Sequence, residues 1–298
     1  MSRRGVVLFA LMSVIWGIPY LFIRVAVGEL APVTLVFLRT GIAAIILLPL
    51  AVARVDLGKV LARWRWVLAF AAVEISIPWV LLASAEQQIS SSLAGLLVAG
   101  VPLVGAVIAA LTRSEHRISG TATIGLLVGL VGVAAIVGGD FQTGNAMALV
   151  QMAGVVVCYA TGPFILTRWL TGLSSLGVMA ASLTISAVVY APFGVLAWPA
   201  ATPDADVIGS VLILAVVCTA VAFLLFAALI GEVGPVRATV ITYVNPAVAA
   251  LLGVFVLDET LTLAMGLGFT LVVVGSSLAT RRPTPPEPTS VEPLPEVG

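Results

Sequence analysis

Residues 207–230 read VIGSVLILAVVCTAVAFLLFAALI, a run of 24 residues without a charged side chain. A helix of about 20 apolar residues is long enough to cross the hydrocarbon core of a bilayer. Such runs recur along the chain, which is 61% hydrophobic and 9% charged and has a mean hydropathy of +1.20. A water-soluble fold could not cover that much apolar surface. Because backbone amides in lipid must be bonded within helices, the sequence predicts an all-α integral membrane protein.

The apolar runs predict ten transmembrane helices joined by short breaks that carry glycine, proline and acidic residues. The first run is too long for a signal peptide and is expected to remain as an uncleaved helix. Short loops make successive helices antiparallel neighbours. Spans one to ten are expected at residues 6–27, 33–53, 66–85, 91–112, 118–138, 145–167, 175–197, 207–230, 236–257 and 261–279.

The charged residues between the spans predict the orientation. Twelve of the fourteen Lys and Arg residues fall at one set of alternate ends, here called the basic end: Arg3, Arg4, Arg54, Lys59, Arg63, Arg65, Arg113, Arg117, Arg168, Arg237, Arg281 and Arg282. The opposite loops, here called the acidic end, carry Glu29, Glu86, Asp140, Asp204, Asp206, Asp258 and Glu259. Cytoplasmic loops collect Lys and Arg, so the basic end and both termini are expected in the cytoplasm, with the protein in the inner or plasma membrane.

An internal repeat divides the chain into two halves. A shift of 144 residues places Pro19 on Pro163, Arg24 on Arg168, Pro102 on Pro246 and Glu115 on Glu259, without gaps. These residue types are scarce inside spans. The shift predicts five-helix repeats at 1–140 and 141–280, followed by a disordered, proline-rich cytoplasmic tail at 281–298. Five is odd, so the two repeats are inverted relative to each other, as in many secondary transporters.

Motifs in both halves resemble a known family over about residues 6–280. They are Trp16-Gly17-Ile18-Pro19-Tyr20 with Arg24 and Phe37-Leu38-Arg39, Glu115 with Gly125, Gly129 and Gly132, and Glu259 with Gly268 and Gly275. Together with the five-plus-five duplication, they resemble the EamA domain of the drug/metabolite transporter superfamily. The resemblance implies transport of amino acids, metabolites or toxic amphiphiles. The second half departs from the pattern, with Leu183 matching Arg39 and Ala160 matching Trp16, which implies an asymmetric site.

Two charged residues lie well inside the predicted spans, away from their ends, and are candidates for function, because ionisable groups at membrane depth are costly. Glu74 near the middle of span three is expected to couple protons or bind a substrate amine. Arg39 in span two is expected to hold a substrate carboxylate. The alternative is that the two form a structural pair. Glu115 and Glu259 are expected to cap the starts of spans five and ten.

Aromatic and amide side chains are further candidates for lining a substrate site, since rings with a polar tip suit an amphiphilic solute. Trp16 and Tyr20, spaced i and i+4, are expected to share one face of span one. The alternative is ordinary helix packing. The candidate set for substrate binding is Trp16, Tyr20, Arg39, Glu74, Trp79, Tyr159, Tyr243 and Asn245.

Prolines at matching places in the two halves predict kinks that shape a central cavity, because each removes a helix hydrogen bond. They are Pro19, Pro102, Pro163 and Pro246. Spans one, three, four, six, eight and nine are expected to line the cavity, with spans five and ten outside it. The small-residue face Gly125, Gly129 and Gly132 is expected either to join the halves or to form a homodimer.

The sequence favours a transporter over other membrane proteins. The single His, His116, and the single Lys, Lys59, give no basis for a protease, metal site or phosphate loop, and Cys158 and Cys218 lie inside spans. No enzyme activity, cofactor, metal or nucleic-acid partner is expected. The expected function is secondary export of a small metabolite, amino acid or amphiphile by alternating access, with proton coupling through Glu74. The alternative is a channel or lipid or solute facilitator without coupling.

Overall fold

A computed structural model describes residues 2–112, 120–139, 146–234 and 238–280. In these ranges the chain forms helices and turns only. Nine helical stretches have the length and composition to cross a membrane, and a tenth is slightly shorter. Spans one to ten are Arg3–Ala26, Pro32–Arg54, Trp64–Ala85, Ser91–Thr112, Gly120–Gly138, Ala146–Trp169, Ser175–Leu196, Ala205–Val233, Val240–Leu257 and Leu263–Ala279. The all-α fold and the ten predicted spans are confirmed, while Glu115 and the tail 281–298 lie outside the described residues.

Several spans are interrupted near prolines. Span one breaks after Ile15 and resumes as Pro19–Ala26, and span four breaks after Val98 and resumes as Val101–Thr112. Span nine begins as a 3-10 segment and becomes an α-helix at Asn245, directly before Pro246. Pro163 lies within the uninterrupted helix Ala146–Trp169. Span six is therefore continuous at its proline, because a helix tolerates the loss of one backbone bond there, and the kink expected at Pro163 stays a prediction.

Two π-helical segments, which were not predicted from the sequence, occur at matching places in the two halves. Span three contains a π-helix at Ala72–Ser76, and span eight contains one at Ile213–Val221. A shift of 144 residues carries the first segment to 216–220, inside the second. Such turns leave backbone carbonyls short of their usual donors and are frequent at functional sites. Tyr190 donates to the Ser76 carbonyl at 2.9 Å, and Thr219 donates to the Leu214 carbonyl, five residues before it, at 2.8 Å.

The helices pair across the two halves. Span five packs on ten, two on seven, four on nine, three on six and one on eight. The first three pairs join repeat-equivalent spans, and the last two pairs are equivalent to each other under the repeat. This is the pattern that a twofold relation between inverted repeats requires.

Glycines allow the closest of these pairings, between spans five and ten. A Cβ added at Gly275 would lie 2.4 Å from the backbone nitrogen of Gly129, and one at Gly132 would lie 2.6 Å from the Gly268 carbonyl oxygen. Both positions meet backbone atoms, which cannot turn aside. The glycine face of span five therefore joins the two halves, which decides between the two roles expected for it.

Candidate functional site

Arg39 is buried in the interior, where its partners are neutral. Its Nε donates to the Thr219 hydroxyl of span eight at 3.0 Å, and its guanidinium carbon lies 3.7 Å from the centre of the Trp79 ring of span three. A cation held against an indole face in a desolvated site gains roughly 2 kcal/mol. The terminal N–H groups of Arg39 make no hydrogen bond within the described residues. They can therefore receive an anion from outside the protein.

Tyr159 of span six joins Arg39 to the other predicted site residues. It packs against the hydrophobic cluster that contains Trp79, and Arg39 and Glu74 are its charged neighbours. Tyr20 of span one, 7% exposed, is an electrostatic neighbour of both Tyr159 and Arg39. Five of the eight predicted substrate-binding residues are thus brought together: Tyr20, Arg39, Glu74, Trp79 and Tyr159. We call them the central cluster; span two contributes to it through Arg39, although it was not among the spans expected to line the cavity.

Glu74 lies in the π-helix of span three and faces span six. Its Oε2 atom is buried and has no hydrogen-bond partner within the described part of the chain. A Cβ added at Gly162 would lie 1.8 Å from this oxygen, so the carboxyl occupies space that only glycine leaves free. A buried carboxyl without partners is costly to charge. The site therefore favours a bound proton or a cationic ligand group at Glu74.

Arg39 and Glu74 do not form the structural pair considered from the sequence. Among the described residues, the single ion pair within 4.0 Å joins Lys59 to Asp56 at the surface. Two interior groups of opposite charge thus lie near the same tyrosine while each lacks a charged partner. An ion pair between Arg39 and Glu74 would have left neither side chain free to bind a ligand.

The other predicted site residues lie apart from the central cluster. Trp16 packs on Phe223 and Phe226 of span eight, with ring centres 6.1 and 4.6 Å apart. Trp16 and Tyr20 pack against different hydrophobic clusters, and span one is interrupted between them, while their expected shared face stays a prediction.

Asn245 and Tyr243 lie in span nine. With its amide oriented toward the surrounding carbonyls, Asn245 donates to Ser13 at 3.0 Å and Ile241 at 2.9 Å, which ties span one to span nine. Tyr243 is half-buried in the 3-10 segment, and no described hydrogen bond or ring contact joins it to Arg39 or Glu74. Within the described residues, no hydrogen bond or ring contact thus joins either side chain to the central cluster.

Spans four and nine are held together at the acidic end of the molecule. The Glu259 carboxylate accepts hydrogen bonds from the backbone N–H groups of Ser91 at 2.8 Å and Ser92 at 2.9 Å, and from both hydroxyls. Beneath this contact a Cβ added at Gly95 of span four would lie 2.5 Å from the Cβ of Ala249 in span nine. Glu259 therefore caps span four instead of span ten, whose cap is Thr262. The left-handed conformation of Asp258, with φ of 54°, lies at this change of chain direction.

A second concave region is apolar and lies away from the charged residues. This groove, of about 460 Å³, lies between spans four, five and six and is lined by side chains such as Leu103, Leu130 and Met152. Span five therefore lines this groove, which is separate from the central cavity that span five was expected to stand outside. None of the described residues that line the groove is titratable.

The central cluster thus lies inside a bundle of ten membrane helices built from two inverted repeats, an architecture typical of secondary transporters. Comparison with known proteins agrees. The model of the EamA-like transporter family matches residues 3–138 and again 146–281. The chain therefore belongs to the EamA-like transporter family and is a multi-pass membrane transporter.

Relatives span nearly the whole chain. An uncharacterized transporter of Archaeoglobus fulgidus is 25% identical over 283 residues, covering 93% of this chain and 98% of its own. The uncharacterized inner membrane transporter YedA of Escherichia coli is 28% identical over 296 residues, covering 93% and 92%. A protein of known crystal structure has a TM-score of 0.65 at 20% identity, covering 94% of this chain and 98% of its own, which supports the fold alone.

Proposed function

We propose that this transporter exports a small amphipathic carboxylate, such as an amino acid or a related organic acid, in exchange for protons. The observation that carries the proposal is the pair of unneutralised interior charges, Arg39 and Glu74, which are both charged neighbours of Tyr159. Arg39 binds the substrate carboxylate through its free N–H groups, a geometry that guanidinium suits well. Trp79 and Tyr159 provide ring surface for the apolar part of the substrate.

Glu74 carries the coupled proton in this mechanism. When the carboxyl is buried and the site is empty, the neutral form is favoured because no partner compensates the charge. Substrate and proton need not bind the same atom, since Arg39 and Glu74 form no ion pair with each other. Because substrate and proton cross in opposite directions in an exchange, protons that enter the cell drive the substrate outward.

A carrier is favoured over an uncoupled channel by the closed acidic end. The contacts of Glu259 with span four and of Gly95 with span nine close the acidic end of the path through the bundle. An alternating-access cycle requires this contact to break while contacts at the basic end form. The carrier therefore predicts saturable flux and counterflow, and the channel predicts linear flux without counterflow.

The test is transport by purified protein in liposomes, with amino acids and aromatic or aliphatic carboxylates as candidate substrates. Glu74→Gln keeps the size of the side chain but cannot titrate. It should retain counterflow and lose accumulation driven by a pH gradient. Asp206→Asn, at an exposed carboxyl near the start of span eight, should behave as wild type.

Arg39→Lys tests the carboxylate site, because lysine keeps the charge but loses the planar fork and the Nε bond. It should raise the KM about tenfold or more, which corresponds to loss of a charged hydrogen bond of about 1.5–3 kcal/mol. Normal affinity in Arg39→Lys, or unchanged pH dependence in a well-expressed Glu74→Gln, would contradict the proposed roles. Restoration of expression and activity in the Arg39→Gln/Glu74→Gln double variant would instead support the structural pair.

A further inference from the structure

Glu86 is a buried carboxyl at the acidic end that the proposed transport cycle does not use. From the sequence it was expected among the acidic loop residues, since it follows the last residue of span three. In the structure it is 0% exposed, and neither carboxylate oxygen has a hydrogen-bond partner within the described residues. Its neighbour in the loop, Gln87, is exposed to solvent. The turn therefore buries the Glu86 side chain while it leaves that of Gln87 in solvent.

Glu86 lies among the residues that hold the spans together at the acidic end. Arg24 of span one donates a hydrogen bond to the backbone carbonyl of Glu86, and the backbone N–H of Glu86 donates to Leu82 at 2.9 Å. Glu259, which holds the start of span four, is a charged neighbour. Separation of spans one, four and nine at this end would therefore hydrate the Glu86 carboxyl.

We propose that Glu86 is a proton-binding site of this gate: the gate closes around the protonated carboxyl, and opening lets the carboxyl ionise. The ligand is a proton taken from water at the acidic end, which adds to one carboxylate oxygen and leaves a neutral acid. The site is separate from Glu74, and the proton bound here favours closure without having to cross the membrane. This inference rests on the alternating access proposed above.

The electrostatics of the closed gate agree with this role. Burial raises the pKa of the Glu86 carboxyl well above its ordinary value of 4.5, and the nearby Glu259 raises it further. Arg24 and Arg39 act in the opposite direction, and Tyr20 is the remaining titratable neighbour. The closed state therefore binds the proton more tightly than the open state. Between the ordinary and the raised pKa, each pH unit should increase the ratio of open to closed gates about tenfold.

Cysteine accessibility measures the gate without requiring transport. In a background with Cys158→Ser and Cys218→Ser, Leu93→Cys places a thiol at a gate position that is 1% exposed. Its labelling rate by an impermeant maleimide is divided by that of the exposed Thr260→Cys at the same pH, which removes the intrinsic pH dependence of thiol reactivity. Val27→Cys, also buried at this end, serves as a second reporter.

The normalised rate should rise with pH for wild-type Glu86 and stay low and flat for Glu86→Gln, which mimics the protonated acid. Glu29→Gln, an exposed acidic-end control, should keep the rise, and Glu86→Asp should keep it with a shifted midpoint. Infrared titration should show a protonated-acid carbonyl band that Glu86→Gln removes.

A flat wild-type profile at both reporters, or an unchanged rise in Glu86→Gln, overturns the proposal. Loss of pH-driven transport in Glu74→Gln with a normal gating profile leaves the gate site standing, so the two proposals can fail separately.

Discussion

Gly275→Ala should weaken the packing of span ten on span five, and the structure gives the size of the disturbance. The added methyl carbon would lie 2.4 Å from the Gly129 nitrogen, whereas ordinary van der Waals contact begins at 3.4 Å. The backbones must therefore separate by 1.0 Å, the difference between those distances, because neither contacting atom belongs to a side chain. Overpacking of this kind costs about 1–3 kcal/mol.

Gly266→Ala in the same helix is the matched control. A Cβ at Gly266 meets no atom within 4 Å, so this variant gains only the helix propensity of alanine, about 1 kcal/mol. The same gain applies to Gly275→Ala, and the difference between the two variants therefore isolates the contact.

We expect the thermal midpoint of Gly275→Ala in detergent, followed by labelling of the half-buried Cys158 and buried Cys218 thiols, to fall several degrees below that of Gly266→Ala. Equal midpoints would refute the close backbone packing of spans five and ten.

Two further predictions concern topology and the proton site. In a cysteine-free background, Asp204→Cys should react with an impermeant maleimide in intact cells and Lys59→Cys should not, since both positions are exposed but lie at opposite ends of the bundle; the reverse labelling pattern would invert the orientation. Gly162→Ala should express normally but push the Glu74 carboxyl out of its space, because the added carbon would lie 1.8 Å from Oε2. Its pH-driven transport should fall while counterflow persists, whereas Gly41→Ala, where the added carbon meets nothing within 4 Å, should transport as wild type.

The spans and most of their interruptions could be predicted from the sequence because they depend on local chemistry. Lipid requires long apolar helices, and Pro19, Pro102 and Pro246 each lie at or beside an interruption. Pro163 shows the limit of this reasoning, since the same residue type remains inside a continuous helix. The π-helices were missed because no residue type specifies them. Pro78, shortly after the first π-helix, is the one local feature that could have indicated it. The matching residue in span eight is alanine, so the second π-helix has no such signal.

Interactions between distant parts of the chain could not be predicted from residue types alone. Glu259 precedes span ten in sequence, but the turn at Asp258 accompanies its contact with span four. Glu86 directly follows span three in the sequence, where a loop residue is expected, but its side chain is buried by the packing of other spans. The separation of Arg39 from Glu74 likewise depends on Thr219 and Trp79, which belong to two other spans.

The repeat explains why the frame is symmetric while the central cluster is not. A shift of 144 residues carries Arg39 to Leu183 and Glu74 to Cys218, so neither charge has a counterpart in the other half. The helix pairs and the π-helices are nevertheless duplicated. Two charges of each sign in the same interior would raise the cost of burial or neutralise one another. In the proposed cycle, the duplicated helices allow the acidic and the basic end to open in turn. Arg39 and Glu74 are each present once, so a single site for anion and proton lies between the two ends.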